Sequence, residues 1–450
     1  MCSLICTYRK AKFSYMLAHL THINSTPFGK FFLLVFVQCY GDCSPRMASA
    51  KELYGYLGLP KVKFYEAVRE LQDKEILEVK RSSPRELPWV QYRISAPDIA
   101  ANVRTSLRQH RYSALITQLL RWAQDRLESR PHQLTIPQRI LMIALLEHAE
   151  QGGIVRQAGF AKLSELSGLS LRQTKNQIRL LIQYQYIRCS SPGGNNPKFI
   201  GRFNSTYLLN LRHPSYGSDI RPGSTVICRQ AVPWPWPTDE NLNIAERLRH
   251  QLRKLWPELT RYIRRAPPPA SWKFLHWLIY DLASKSLTEN WNGLTQRAFG
   301  ATTEQLADDV HELCFPQPPL ADGELEHAIL DFCQLVATNI FVIACGAKEI
   351  MSACSFSARE LKNQRYQILP PSFRHERNAG IAIEVFATHL GSTSSYRTWK
   401  VWLDVKSRKP AAEEMESPNS LSPSELAKLG LATPPFKQPA LYRVKPRKDD

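Results

Sequence analysis

Arg172, Gln173, Lys175, Asn176 and Arg179 lie within a few turns of one another, and they are side chains that recognise rather than break bonds. Arginine forks onto the O6/N7 edge of guanine, asparagine and glutamine pair with the N6/N7 edge of adenine, and lysine neutralises phosphate. From Glu165 to Asp219 no acidic residue intervenes, whereas Arg172, Lys175, Arg179, Arg188, Lys198, Arg202 and Arg212 are basic. One sign of charge over a compact stretch suits a polyanion.

Catalytic constellations are hard to find by comparison. The chain has no GxxxxGK[ST], HExxH or GxSxG pattern, so phosphate-cradle, zinc-hydrolase and nucleophile-elbow chemistry lack their residues. Asp308, Asp309, Glu312, Glu324 and Glu326, with His311, His327 and Asp331, form a cluster whose spacing fits a solvated helix face better than a metal site. His250 lies on an arginine-rich helix and reads as a phosphate-side contact or a histidine without a role. Ten cysteines include no CxxC pair, and Cys39 and Cys43 lack further ligands nearby. We therefore expect no enzyme, no cofactor and no metal, and a reducing compartment for free thiols.

The elements that would carry the recognition residues can be read locally. Residues 161–168 predict a short helix ending at Gly168. Ser170 is a good N-cap for a second helix running to about Tyr186, because its hydroxyl can accept from an orphan backbone N–H. A strand, a tip at Pro192–Pro197 and a returning strand at Phe203–Leu209 follow. The same order occurs at Ala50–Ile94: Gly58 matches Gly168, and Phe64, Val68, Leu71 and Leu77 match Thr174, Ile178, Leu181 and Ile187. Matched core positions in two copies are stronger than either copy alone. Pro60 stands where the second copy has Ser170.

These residues resemble the winged helix-turn-helix superfamily, the pattern of bacterial transcription regulators and of DNA-binding modules in plasmid and phage replication proteins. The resemblance covers residues 28–96 and 135–211. It implies that the second helix of each turn motif enters the major groove and that the wing touches backbone or minor groove. In the second module Arg172, Gln173, Lys175, Asn176 and Arg179 would read, Lys198 and Arg202 would hold phosphate, and Gly193-Gly194 would let the wing approach closely. In the first, Lys61, Lys63, Arg69, Lys80, Arg81 and Arg85 would assist. Glu66, Glu70, Asp73 and Glu75 oppose that role, so dimerisation is its competing use.

The expected fold is mainly α with small β wings: two winged helix-turn-helix modules plus a C-terminal α-helical domain. Residues 1–27 read as a disordered or over-extended N-terminus, 97–134 as a helical connector with Trp122 in its apolar stripe, 212–240 as a Pro/Trp-rich linker, 241–405 as the α-helical domain and 406–450 as a disordered tail. Within the domain Ser357–Gln364 and Ala379–His389 predict helices; Ser422–Leu429 predicts one in the tail. Ile329–Ala347 carries Asp331, Gln334 and Asn339 and reads as a buried helix rather than a membrane span. The net charge of +19, from 59 Lys and Arg against 40 Asp and Glu, favours an anionic partner. The expected function is sequence-specific binding of double-stranded DNA in transcription regulation, in the cytoplasm at the nucleoid. Replication initiation on a plasmid or mobile element is one alternative, and a protein-interaction scaffold is another. A homodimer, and a protein partner held by residues 241–405, are the further contacts expected.

Overall fold

The structure is a computed structural model that describes residues 16–40, 46–47, 49–81, 90–121, 134–150, 153–156, 158–184, 186–196, 198–211, 213, 216, 225–229, 244–264, 269–295, 299–316, 323–353, 365–369, 381–386, 396–403 and 410–415. The chain is mostly helical, with small sheets, and divides into two compact units. One is Met1–Ser190 with Asn204–Pro222; the other is Ser191–Phe203 with Gly223–Asp450.

In the first unit, one module comprises α1 (Pro27–Tyr40), β1 (Arg46–Met47), α2 (Ala50–Leu57), α3 (Lys61–Asp73), β2 (Leu77–Arg81) and β3 (Val90–Ile94). The strands form an antiparallel sheet in the order β1-β3-β2. Helices α4 (Pro97–Gln109) and α5 (Ser113–Arg121) follow. The second module repeats the order with α6 (Ile136–Glu147), β4 (Ile154–Val155), α7 (Phe160–Ser167), α8 (Leu171–Gln183), β5 (Ile187–Ser191) and, after the excursion described below, β8 (Thr206–Leu209). Its sheet order is β4-β8-β5.

Local chemistry sets the helix ends. Ser49 and Glu52 form a capping box at the start of α2, as Thr135 and Gln138 do for α6. Gly58 (φ 64°) and Gly168 (φ 73°) end α2 and α7 in the left-handed conformation that glycine adopts without steric cost.

In α1, Phe31 to Val37 are buried without interruption, because α1 packs on α3 of its own module and also on α4, α5 and α6. A helix buried all round needs an apolar surface all round. Phe32 meets Phe64 at 5.8 Å, and on another side the Arg139 guanidinium lies 5.9 Å from the Phe31 ring. A single core cluster therefore includes Phe64 and Leu71 of the first module with Ile140, Leu163, Ile178 and Leu181 of the second. The connector helices join it through Val103, Leu107, Leu115 and Leu119; Trp122 lies outside the described residues. The N-terminal segment joins it too. Residues 1–15 lie outside the description, but Met16, Leu17, Leu20 and Ile23 are buried, so part of the segment read as disordered or over-extended belongs to the core.

The second unit takes in β6 (Gly194–Asn196) and β7 (Gly201–Phe203), a two-stranded antiparallel hairpin, and then β9 (Thr225–Arg229). Its helices are α9 (Ile244–Leu255), α10 (Pro257–Arg264), α11 (Pro269–Glu289), α12 (Phe299–Cys314) and α13 (Gly323–Ala353), and its last strands are β10 (Arg365–Leu369), β11 (Ile381–Phe386), β12 (Tyr396–Leu403) and β13 (Pro410–Met415). By length and composition α13 could cross a membrane, but 61% of its apolar window is buried and its Phe332, Val336, Ile340 and Ala344 form the centre of the unit's core.

This unit is not purely helical. A five-stranded sheet runs β10-β9-β11-β12-β13, parallel between β10 and β9 and antiparallel elsewhere. The stretch read as a helix at 379–389 contains β11; Ile381, Ile383 and Val385 alternate with period two and are β-branched. The presumed linker supplies the inner strand β9, and the presumed tail supplies β13. Residues 357–364, 233–237 and 422–429 lie outside the described residues. Strand β10 is closed by α11: Ser284 Oγ accepts from the Ile368 N–H at 2.8 Å, and Thr288 Oγ1 from the Tyr366 N–H at 3.0 Å. Two hydroxyls one helical turn apart thus satisfy an edge that could otherwise pair with another chain.

Candidate nucleic-acid interface

The candidate surface is the outer face of α8. Ser170 caps the helix through a reciprocal box: its Oγ accepts from Gln173 N–H at 3.3 Å, and Gln173 Oε1 accepts from Ser170 N–H at 2.9 Å. Thr174, Ile178 and Leu181 are buried on the inner face. Arg172, Lys175, Asn176 and Arg179 are exposed on the outer one, as a 3.6-residue repeat requires. Lys175 Nζ lies 5.8 Å over the Phe160 ring. Gln173 is exposed, but its carbonyl oxygen serves the cap, leaving only its amide hydrogens for a base.

The turn before α8 is held from the other module. A Cβ on Gly168 would stand 2.2 Å from the Ser25 carbonyl oxygen and 3.2 Å from Pro27 N, so backbone contact and positive φ both exclude a side chain. Lys30 of α1, itself buried, donates to the carbonyls of Glu165 and Leu166 at 2.7 and 2.9 Å and caps the C-terminus of α7. Burial pushes the Lys30 ammonium down to about 8. Behind it, fully buried Glu147 accepts from Leu17 N–H at 2.9 Å, and desolvation raises its carboxyl to about 8. The sequence reading missed Lys30 and Glu147, because each sits inside an apolar run and offers no local sign of its partner.

In the first module part of the positive charge is answered. On α3 Lys63 pairs with Glu66 at 2.6 Å, and on the strands Lys80 and Arg93 both face Glu78, at 3.1 and 4.0 Å. Glu70, which counted against phosphate binding, accepts from Thr26 N–H (2.7 Å) and Thr26 Oγ1–H (2.6 Å) and pairs with Lys74 at 3.0 Å. Burial pushes its carboxyl up, but the Thr26 bonds and Lys74 prevail and hold it below its ordinary value. Its charge therefore serves the start of α1. Lys61 and Arg69 are exposed. So are Val62 (66%) and Tyr65 (44%) on the same helix. Arg81 ends β2; its side chain and all of Arg85 lie outside the described residues.

The expected wing tip of the second module has another role in the structure. Between β5 and β8 the chain makes the β6–β7 hairpin, whose Phe199, Ile200 and Phe203 are buried in the core of the second unit. Phe199 packs on Trp272 and Phe315 at 5.4 and 5.7 Å, Phe203 stacks on Phe274 at 4.4 Å, and Ile200 N–H donates to the Cys314 carbonyl at 2.6 Å. A Cβ on Gly194 would lie 2.8 Å from Phe203 Cζ, so this glycine makes room for an aromatic ring of its own hairpin. Lys198 is half-buried with Nζ 4.7 Å over the Tyr262 ring, while Arg202 remains exposed.

Among the described residues no group of three or more His, Cys, Asp or Glu side chains is placed to hold a metal ion. No protein-family model, no curated protein and no solved structure matches this chain, so its function has to be read from geometry and charge.

Proposed function

We propose that this chain is a sequence-specific double-stranded DNA-binding protein built from two winged helix-turn-helix modules that share one core, with α8 as the main reader, acting in transcription regulation. One observation carries the reading. Arg172, Lys175, Asn176 and Arg179 project from a helix whose inner face, cap and preceding turn are all fixed, and among the described residues none of the three cations has an ion-pair partner. Such a helix offers guanine- and adenine-reading groups with little ordering cost. The first module has a different character: of its α3 cations Lys63 is paired while Lys61 and Arg69 are exposed, and Val62 and Tyr65 are exposed on the same helix among acidic Glu66 and Glu70, which favours self-association over base reading.

The test is capture of sheared genomic DNA by the full chain, with the bound fragments sequenced. Enrichment of a common sequence supports the reading. Arg172→Ala or Asn176→Ala should then cost about 1–3 kcal/mol on that sequence and little on random duplex. Equal loss on both kinds of DNA would mean that α8 only neutralises phosphate. No enrichment over random fragments would remove base reading altogether.

A further inference from the structure

We infer that the second unit carries its own sequence-independent phosphate-binding surface on α9, whose occupant is the sugar–phosphate backbone of duplex DNA; the inference rests on the reading of this chain as a DNA-binding protein. Helix α9 is sharply two-sided. Leu248 and Leu252 are buried in the unit's core together with Leu259 and Ile263 of α10. Arg249, His250, Arg253 and Lys254 are exposed. Arg249 with Arg253, and His250 with Lys254, stand one turn apart and form two adjoining stripes.

Arg249, Arg253 and Lys254 have no ion-pair partner among the described residues, although such pairing is common elsewhere in the chain. On the adjacent α10, Arg261 is answered by Glu258 at 2.6 Å. Like charges at this spacing repel, and the attraction of cations for a helix C-terminus covers Arg253 and Lys254 but not Arg249, a turn earlier. A polyanion relieves the repulsion and gains the entropy of released counterions. The hairpin adds to the basic character of this unit. Lys198 is held over Tyr262 of α10, the helix packed on α9, and Arg202 is exposed on β7. An anionic membrane is less well matched. Surface-binding helices insert a continuous apolar face, whereas Leu248 and Leu252 are used in the core and Leu255, at the end of the helix, is a single exposed leucine rather than a face.

The experiment compares the full chain with its Arg249→Ala/Arg253→Ala/Lys254→Ala variant on a random-sequence duplex of roughly 40 base pairs over a salt series. The variant should bind more weakly, and its slope of log K against log salt should be shallower by about 2–3. The Arg249→Lys/Arg253→Lys variant should keep the wild-type slope, which separates charge from damage to the fold. In contrast, Arg172→Ala/Asn176→Ala should lose base preference while retaining most of the slope. An unchanged slope in the triple alanine variant overturns the α9 surface and leaves the α8 reading standing. Failure of the wild-type chain to bind any duplex at low salt overturns both. Binding to phosphatidylserine vesicles that depends on α9, without such dependence on duplex, would also overturn it, in favour of a membrane surface.

Discussion

Gly168 and Glu147 show how much a single position can govern here. Gly168 combines a positive φ with backbone contact at Ser25, so Gly168→Ala should destabilise the first unit by at least about 1–2 kcal/mol. Thermal unfolding of the variant checks this, and an unchanged midpoint would mean that the turn can relax. Glu147 has its native value raised from 4.5 to about 8. The folded chain keeps this proton where the unfolded chain releases it. The group's contribution is therefore most favourable below the unfolded value, and stability falls as pH rises through the window between about 4.5 and 8. Lys30, lowered from 10.5 to about 8, acts in the separate window above, where stability gains as pH rises. Glu147→Gln keeps an acceptor for Leu17 N–H and cannot ionise. Buried His110, His148 and His276, all lowered from 6.5, favour the fold as pH rises and oppose this trend in mildly acidic solution. Between 6.5 and about 8, above their range, urea midpoints should fall in the wild type and stay nearly level in the variant.

At the scale of elements, the β6–β7 hairpin is the decisive feature. It leaves the second module between β5 and β8 and places three large apolar side chains in the second unit. Phe199→Ala should cost about 3–5 kcal/mol, as truncations of buried aromatics do. Hydrogen exchange should locate the loss in α11 and α13 while α1 and α6 keep their protection. Equal loss in both sets would mean that the hairpin does not belong energetically to the second unit. The hairpin also separates the candidate contact residues. Arg172, Lys175, Asn176 and Arg179 stay on an exposed helix face, whereas Lys198, expected beside them in function, lies over Tyr262.

For the molecule as a whole, tandem repetition did not produce two independent beads. The shared core joining α1 and α6 predicts that residues 28–96 alone will show no cooperative unfolding, whereas residues 16–222 will. The longer fragment should also bind an apolar dye, since Phe199, Ile200 and Phe203 would have lost their core. A cooperative melt of 28–96 would show instead that the modules fold separately.

Helix–turn–helix order, the two αL glycines, the Ser170 cap and the outward face of α8 were legible in the sequence, because each depends on neighbours within about two helical turns. The matched cores of the two copies were legible for the same reason. Other features depend on partners distant in sequence. Strand β9 is a strand because β10 and β11 flank it; the helix read at 379–389, by contrast, overlooked a local period-two alternation at Ile381, Ile383 and Val385. Lys30 acquires its role only when α7 presents its last carbonyls, and Phe199 only when α11, α12 and α13 enclose it. Which cations are paired and which remain open to a polyanion was likewise decided in three dimensions, since the ion pairs depend on where the folded chain brings opposite charges together. Sequence alone determined the local elements and the surplus of positive charge; tertiary packing decided which of those charges are available and which apparent loops belong to the core.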